Sequence, residues 1–395
     1  MVLDIERLRG ETPGCGELLH FNNAGASLLP GAVINAMKAH IDLEARIGGY
    51  EAGDAVLDQT EQFYDHAASL LNCSRDEIAF VENATRAWDM AFYGFKFKAG
   101  DRIITGRAEY ASNFLAMLQV SRSTGAVIDV IGNDVYGQLD VDELREKIDG
   151  RVKLIAIPHV PSQGGLINPA EKIGEIANKA GIPYLLDATQ SVGQMPVDVK
   201  QIKCDFLCAT GRKYLRGPRG TGILYAKKSR ILELEPPFVD LQAAIWIADD
   251  KYEWRADARR FETWEQNIAA KLGLAAAIEY LLQLDRDEAW ERIKLLSSSL
   301  RQQLASIPGV TLHDLGLNKC GIVTFASKDK SPELVKRELA KRKINVSISR
   351  REYAQLDLGS RNISTLVRAS VHYYNTEKEV EHFVDTVRAI LVAKS

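Results

Sequence analysis

Short apolar runs alternate with amphipathic stretches between about residues 75 and 230. The runs are EIAFV, RIITG, AVIDVIG, KLIAIPHV, PYLLDA, DFLCAT and GILYAKK. Several are apolar throughout, which is typical of strands that helices cover on both faces. The stretches between them, such as TRAWDMAFYGFKF and AEKIGEIANKAG, have helical periodicity. The pattern therefore predicts an α/β domain with a mostly parallel sheet.

The organisation of the chain changes after two turn-forming segments, residues 217–220 and the Glu-Pro-Pro of 235–237. A long apolar helical stretch follows, and then the order strand, helix, strand, strand, helix predicts a smaller α+β domain. We therefore expect three parts. These are an N-terminal segment (1–30) that packs near the functional site, a large α/β domain (31–270) and a small α+β domain (271–395).

Charge and composition narrow the class of protein. The chain has 395 residues, 46% of them hydrophobic, and a formal net charge of −3, so neither a nucleic-acid surface nor a membrane-binding patch is indicated. No apolar run approaches the roughly 20 residues that span a bilayer, and the first residues lack the apolar core of a secretion signal. No metal site is predicted. Reduced thiols in a cytoplasm are expected, because five cysteines are scattered without a CxxC pair: Cys15, Cys73, Cys204, Cys208 and Cys320.

One pair of segments carries candidate chemistry. DATQS begins at Asp187, directly after an apolar run, and ATGRKYLRGPRGTG places Lys213 just after another. Pyridoxal 5′-phosphate (PLP) chemistry requires a lysine amine that forms an imine and a carboxylate that keeps the pyridine nitrogen protonated. Ligands of open α/β sheets bind at the carboxyl ends of strands, where both residues are expected. Taken singly, Asp187 is equally consistent with a helix cap or a salt bridge, and Lys213 with a solvated surface.

Further motifs occur in order along nearly the whole chain. They are FNNAGASLLP near the start, ENAT at 82–85, AEYASN at 108–113, HVPSQGG at 159–165, DATQSVGQMPVDV at 187–199, GRKYLRGPRGTG, and LVRASVHYYNTEKEVE at 366–381. In these motifs the chain resembles the class V aminotransferase family of PLP enzymes, which includes cysteine desulfurases, kynureninase and isopenicillin N epimerase. The resemblance implies fold type I, an α/β fold with a large, mostly parallel-sheet domain and a smaller C-terminal α+β domain.

The resemblance also implies a set of phosphate-binding residues. Ala84 and Thr85 fall at a strand-to-helix turn whose backbone N–H groups would hold the phosphate, and a helix N-terminus is suited to an anion. A plain helix cap by Asn83 or Thr85 is the alternative. Thr210 and Arg212 match residues on the phosphate side, where Arg212 replaces a more usual histidine and offers a bidentate fork.

Other positions match residues around the pyridine ring and the substrate. The resemblance implies that Tyr110, in place of a histidine, stacks on the ring as a catalytic residue, and that Gln190 donates to the phenolic oxygen. Ser162 stands where many relatives have asparagine. Arg368 matches the arginine that clamps the substrate α-carboxylate. The segment FETWEQN at 261–267 matches one that crosses a dimer interface, so a homodimer with shared sites is expected.

The motifs constrain the type of reaction less than they constrain the fold and the cofactor. Cysteine desulfurases carry a nucleophilic cysteine on a loop before the carboxylate-binding arginine, and here that region, 347–365, contains none. Cys320 lies earlier, in an apolar run typical of a buried thiol. The tracts GRKYLRGPRGTG and FETWEQN look most like the branch of the family that holds C–S lyases and epimerase-like enzymes. The resemblance implies a C–S lyase that eliminates the β-substituent of a cysteine conjugate or sulfoxide, with Lys213 as the general base. An aminotransferase or an amino-acid epimerase is the alternative.

Two readings from other classes remain open at this point. A nicotinamide dehydrogenase shares the sheet type, but no GxGxxG follows a strand. A non-catalytic protein with the PLP fold is the other. The sequence also leaves undefined the roles of several polar and aromatic residues: Trp264, Glu265, Arg350, Arg351, Tyr353 and Arg361.

Overall fold

The computed structural model describes residues 3–393, so the outermost two residues of the first and last predicted parts lie outside the description. Its helices are α1 (Ile5–Gly10), α2 (Gly31–Ile47), α3 (Gly49–Ala55), α4 (Leu57–Leu71), α5 (Ala84–Phe92), α6 (Ala111–Thr124), α7 (Val141–Lys147), α8 (Ala170–Ala180), α9 (Val199–Ile202), α10 (Lys228–Ile231), α11 (Ile268–Leu282), α12 (Arg286–Ala305), α13 (Pro332–Ala340), α14 (Gln355–Ser360) and α15 (Glu377–Val392). The strands are β1 (Leu19–His20), β2 (Ile78–Val81), β3 (Arg102–Gly106), β4 (Val127–Ile131), β5 (Val152–Pro158), β6 (Tyr184–Asp187), β7 (Phe206–Thr210), β8 (Gly222–Ala226), β9 (Ala244–Ala248), β10 (Lys251–Trp254), β11 (Val310–Leu312), β12 (Ile322–Ser327), β13 (Ile344–Asn345), β14 (Ser347–Arg350) and β15 (Thr365–Ser370).

The larger sheet contains the seven apolar runs as strands, in the order β2-β8-β7-β6-β5-β3-β4. The pairs from β7 through β4 are parallel, whereas β8 runs antiparallel to both of its neighbours. The prediction of an α/β fold with a mostly parallel sheet is confirmed. Because parallel strands end at the same edge, the sheet brings the segments after β3, β5, β6 and β7 together.

Alternate residues of these strands bury against opposite helical layers. On one face, Ile155 and Leu186 belong to a core that includes residues of α4, α8 and α11. On the other face, Ala156 and Leu185 pack into a core with residues of α5 and α6. Side chains of a strand alternate between faces, so a sheet covered on both sides needs apolar residues at successive positions. This packing explains the unbroken apolar runs.

The smaller sheet lies in the C-terminal region and is antiparallel, in the order β11-β12-β15-β14. The N-terminal segment reaches this sheet and the loop after β7 of the large sheet. The Ser370 amide donates to the Phe21 carbonyl at 2.7 Å, and the Ser27 amide donates to the Arg212 carbonyl at 2.8 Å. The fold thereby holds residues 20–30 beside the loop that carries Lys213.

Two features were not predicted. The hairpin β9–β10 projects apolar side chains outward, and α11 packs against α2 and α4 of the N-terminal half. Helix α11 begins near the proposed boundary at residue 270, and the division into three parts stays a prediction. Between residues 3 and 393, every helix is too short or too polar to cross a bilayer.

Candidate active site

A cavity of about 400 Å³ opens at the carboxyl edge of the large sheet. Eight of the ten predicted site residues line it, while Gln190 and Arg368 contact the lining residue Ser162. The eight are Ala84, Thr85, Tyr110, Ser162, Asp187, Thr210, Arg212 and Lys213. The topology collects these positions from five chain segments, and the role of each residue stays a prediction.

Asp187 is the last residue of β6, and its buried carboxylate is held from two sides. Oδ1 accepts from the Thr189 amide at 3.0 Å, and Oδ2 accepts from the Asn113 side chain at 2.9 Å. In the described part of the chain, Asp187 forms no salt bridge. A buried carboxylate that faces a cavity without a cationic partner suits a positively charged ligand group.

Lys213 lies in the turn after β7, and its side chain is buried beside the cavity. The pKa of its amine is lowered to about 7, chiefly by burial and in part by the nearby Arg212 guanidinium, while Asp187 acts in the opposite direction. Desolvation disfavours the ammonium form. A large fraction of the amine is therefore neutral, and so nucleophilic, near pH 7.

One end of the cavity is suited to an anion. Ala84 and Thr85 are the first residues of α5, and Asn83 caps the helix by accepting from the Arg86 amide at 2.9 Å. The backbone amides of Ala84 and Thr85 have no acceptor among residues 3–393. The unsatisfied N–H groups and the positive helix end favour a phosphate here. The capping role considered for Asn83 is present alongside this geometry.

Arginines add positive charge to the same end. Arg212 donates to the Thr210 hydroxyl at 3.3 Å, and the exposed Arg219 also lines the cavity. Burial lowers the pKa of Arg212, and the Arg219 charge contributes in the same direction. Two guanidiniums whose charges repel each other are stabilised by a shared anion. Arg219 was not among the predicted site residues, although it lies in the GPRG motif.

Ser162 joins the residues predicted to contact the ring and the substrate. Its hydroxyl accepts from Gln190 Nε2 at 3.1 Å, and its carbonyl accepts from Arg368 Nη1 at 2.5 Å. Gln190 also donates to the Ala24 carbonyl at 3.0 Å, so the N-terminal segment contributes to the site. Gln190 Oε1 and Arg368 Nε are buried without a partner in the described chain. Both atoms are available to a ligand.

Tyr110 stands at the N-cap of α6, half-buried and on the cavity wall. Its backbone amide donates to Glu109 Oε1 at 2.7 Å. Asn113, three residues later, also lines the cavity and was missed by the sequence analysis, as was Thr189. The clue for Asn113 was the i, i+4 spacing of Glu109 and Asn113 in AEYASN, which places both side chains on one side of a helix start.

The basic residues of the 347–365 region do not line this cavity. Arg350 pairs with Glu333 at 3.3 Å and Arg361 with Asp357 at 3.4 Å, while Arg351 Nε donates to the Ile363 carbonyl at 3.1 Å. Their contacts are structural. Trp264 is largely exposed and contacts Asp240 through its backbone amide at 2.7 Å.

Similarity to known proteins extends along the whole chain. The model of the family described as Aminotransferase class-V matches residues 19–383. A protein named probable cysteine desulfurase from Pyrococcus abyssi is 32% identical over 98% of this chain and 97% of its own length. A protein with the same name from Methanothermobacter thermautotrophicus is 28% identical over 98% of both chains. A solved structure of a cysteine desulfurase from Thermococcus onnurineus superposes with a TM-score of 0.91 at 28% identity, covering 98% of both chains.

These findings correct the expected reaction. The prediction of a C–S lyase that lacks a persulfide step is wrong, because full-length relatives and a structural neighbour are named cysteine desulfurases. That prediction rested on a missing thiol in the 347–365 region and on the resemblance of two short tracts to C–S lyases, whereas the similarity to cysteine desulfurases extends over nearly the whole chain. A missing thiol does not exclude desulfuration, because a thiol of another molecule can accept sulfur. The full-length similarity, the family match and the shared architecture show that the chain belongs to the class V aminotransferase family.

Proposed function

We propose that this chain is a PLP-dependent cysteine desulfurase, which converts cysteine to alanine and transfers the sulfur to a thiol. The observation that carries the proposal is that Lys213 and Asp187 line one cavity, and Arg368 contacts its wall at Ser162, in a chain whose full-length relatives bear that name. Each of the three offers a group that the reaction needs, namely an amine, a carboxylate and a guanidinium.

The residues present fit PLP. The unpaired carboxylate of Asp187 suits a protonated ring nitrogen, and the free amides of Ala84 and Thr85 suit a phosphate. Gln190 Oε1 and Arg368 Nε are further buried polar atoms without a hydrogen-bond partner, which a ligand would satisfy. We assign these residues to the cofactor and to the substrate carboxylate, with Arg212 and Thr210 at the phosphate end.

When bound, PLP accepts electrons from the substrate α-carbon and so lowers the cost of breaking bonds there. Lys213 supplies the base, because burial keeps a large fraction of its amine neutral near pH 7. Arg368 fixes the substrate by its carboxylate, since its guanidinium pairs two oxygens at a set geometry. Tyr110, on the cavity wall at the start of α6, is assigned to stacking on the face of the cofactor ring.

The sulfur acceptor is expected to come from a second molecule. Cys204, Cys208 and Cys320 are buried, Cys15 and Cys73 are partly buried, and none of the five lines the cavity as described for residues 3–393. In the proposed step the substrate Cβ–S bond breaks, the sulfur forms an S–S bond with the acceptor thiolate, and Cβ gains a proton. The carbon is reduced as the sulfur is oxidised, so alanine and a persulfide form without another oxidant.

The test is to incubate PLP-loaded protein with L-cysteine and dithiothreitol and to measure alanine, sulfide and pyruvate. We expect equal amounts of alanine and sulfide, because dithiothreitol releases the persulfide sulfur, and no pyruvate. Lys213→Ala is expected to lower the rate by about a thousandfold or more, while the exposed Lys153→Ala serves as the matched control. Pyruvate in place of alanine contradicts the proposal.

The acceptor is tested separately by omitting dithiothreitol. Alanine formation is then expected to slow to the rate that the thiol of the substrate cysteine supports as acceptor, and the Cys15→Ser and Cys73→Ser variants are expected to match the wild type when dithiothreitol is present. A full turnover without added thiol, with a persulfide on one of the chain's own cysteines, contradicts the external acceptor while leaving desulfuration intact.

A further inference from the structure

A second buried carboxylate, Glu109, lies behind Asp187. Its side chain is 4% exposed and precedes the N-cap of α6. Oε2 accepts from the Thr105 hydroxyl at 2.6 Å, and Oε1 accepts from the Asn113 side chain at 3.0 Å and from the Tyr110 amide. The buried carboxylate of Glu109 therefore accepts hydrogen bonds from three donors.

Asn113 connects the two carboxylates. Its Nδ2 atom donates to Glu109 Oε1 and to Asp187 Oδ2, and the residue is 3% exposed. The amide orientation is dictated by the surroundings, because a side-chain oxygen in that place would face two acceptors. One nitrogen thus uses its two protons to tie Glu109 to Asp187.

The charges around this bridge are unbalanced. The titratable groups that face Glu109 are Asp187 at the end of β6 and the buried Cys208 of β7, and neither is cationic. Glu109 forms no salt bridge within residues 3–393. The pKa of Glu109 is raised to about 7, chiefly by burial and in part by Asp187, against the effect of the three hydrogen bonds. The cations Lys213 and Arg212 line the cavity, where Asp187 raises the pKa of Lys213.

We propose that Glu109 and Asn113 are positioning residues for the cofactor's ring nitrogen: Asn113 orients the Asp187 carboxylate, and Glu109 orients Asn113 while adding a second negative charge behind it. The inference rests on the proposed role of Asp187. A charged Glu109 favours the protonated ring nitrogen more strongly than Asp187 alone, since each nearby anion stabilises the cationic form.

The variant Glu109→Gln tests the negative charge of Glu109 separately from its hydrogen bonds. The glutamine side chain keeps the volume, accepts from Tyr110 and Asn113 through its oxygen, and donates to Thr105 through its amide. Glu146→Gln, on the exposed surface of α7, removes the same charge away from the site and is the matched control. Thr105→Val, which removes only the hydroxyl donor to Oε2, provides a second variant if Glu109→Gln does not fold.

The experiment titrates the visible absorption band of PLP-loaded protein with pH. We expect the midpoint for Glu109→Gln to lie below that of the wild type by about half a pH unit or more, with Thr105→Val displaced in the same direction and Glu146→Gln unchanged. The ¹⁵N shift of ring-labelled PLP is expected to show less protonated nitrogen in Glu109→Gln. Midpoints and ¹⁵N shifts equal to the wild type in the folded, loaded variants overturn the inference. A wild-type protein that binds no PLP instead overturns the proposed function.

Discussion

At the scale of single residues, the low pKa of Lys213 has a direct kinetic consequence. The free amine attacks the PLP aldehyde, and burial lowers its pKa to about 7, so its neutral fraction grows as the pH rises through that value. Uptake of PLP by the unloaded protein is expected to be about tenfold faster at pH 8 than at pH 6 and to level off above pH 8. Stopped-flow absorbance measures this rate. A rate that continues to rise tenfold per pH unit up to pH 10 indicates an ordinary lysine and contradicts the assignment.

Site residues could be predicted from the sequence where they stood directly after an apolar run. Asp187 ends β6 and Lys213 follows β7. Both could be predicted because ligands of open α/β sheets bind at the carboxyl ends of the strands. The contact between Asn113 and Asp187 joins positions 74 residues apart, and only the folded sheet brings them together. Arg219 was missed for another reason, because a turn motif rich in glycine and proline explained its surroundings without a ligand.

At the scale of elements, the loop after Lys213 is anchored by Arg216. This guanidinium is 1% exposed, donates to the Leu28 carbonyl at 2.9 Å and to the hydroxyls of Thr12 and Tyr373, and lies 4.5 Å from the Tyr374 ring centre. Its backbone φ is 59°, a left-handed conformation that non-glycine residues rarely adopt. The side-chain contacts offset that strain and join the N-terminal segment, the lysine loop and the small antiparallel region.

Arg216→Leu is therefore expected to lower the free energy of unfolding by about 3 kcal/mol, because it leaves a buried carbonyl and two hydroxyls without their donor. Urea denaturation of the unloaded protein measures the change. Arg145→Leu, on the exposed face of α7, is the control. A loss no larger than that of the control shows that the buried guanidinium does not hold the three segments together.

The strands themselves were predictable because burial on both faces demands unbroken apolar runs. The antiparallel direction of β8 could not be predicted. Strands β7 and β8 are buried at every position, and such an apolar run looks the same whether the strand is parallel or antiparallel to its neighbour. The hairpin β9–β10 was missed because its apolar residues are exposed, so they show no alternation between a buried and a solvated face.

At the scale of the whole molecule, that hairpin presents apolar side chains to solvent. Ile245, Trp246 and Ile247 are successive residues of β9 and each is at least half exposed, so both faces of the strand present apolar surface. Exposed apolar patches of this kind mark interaction sites. We propose a second copy of the chain as the partner, in keeping with the homodimer expected from the sequence.

Light scattering coupled to size exclusion is expected to give a mass twice the 43.8 kDa of one chain. Trp246→Glu is expected to shift the protein toward monomer, since it places a charge in an apolar interface. The control Val135→Glu, at a position that is 93% exposed, is expected to leave the mass unchanged. A monomeric wild type contradicts the dimer, and a dimer that persists in Trp246→Glu places the interface elsewhere.

The most direct test of the central claim is the site of covalent attachment. PLP-loaded protein is reduced with borohydride and digested, and its peptides are analysed by mass spectrometry. We expect a phosphopyridoxyl group on the peptide that contains Lys213 and on no peptide of Lys213→Ala. Attachment to a different lysine, or a loaded wild-type protein without any adduct, contradicts it.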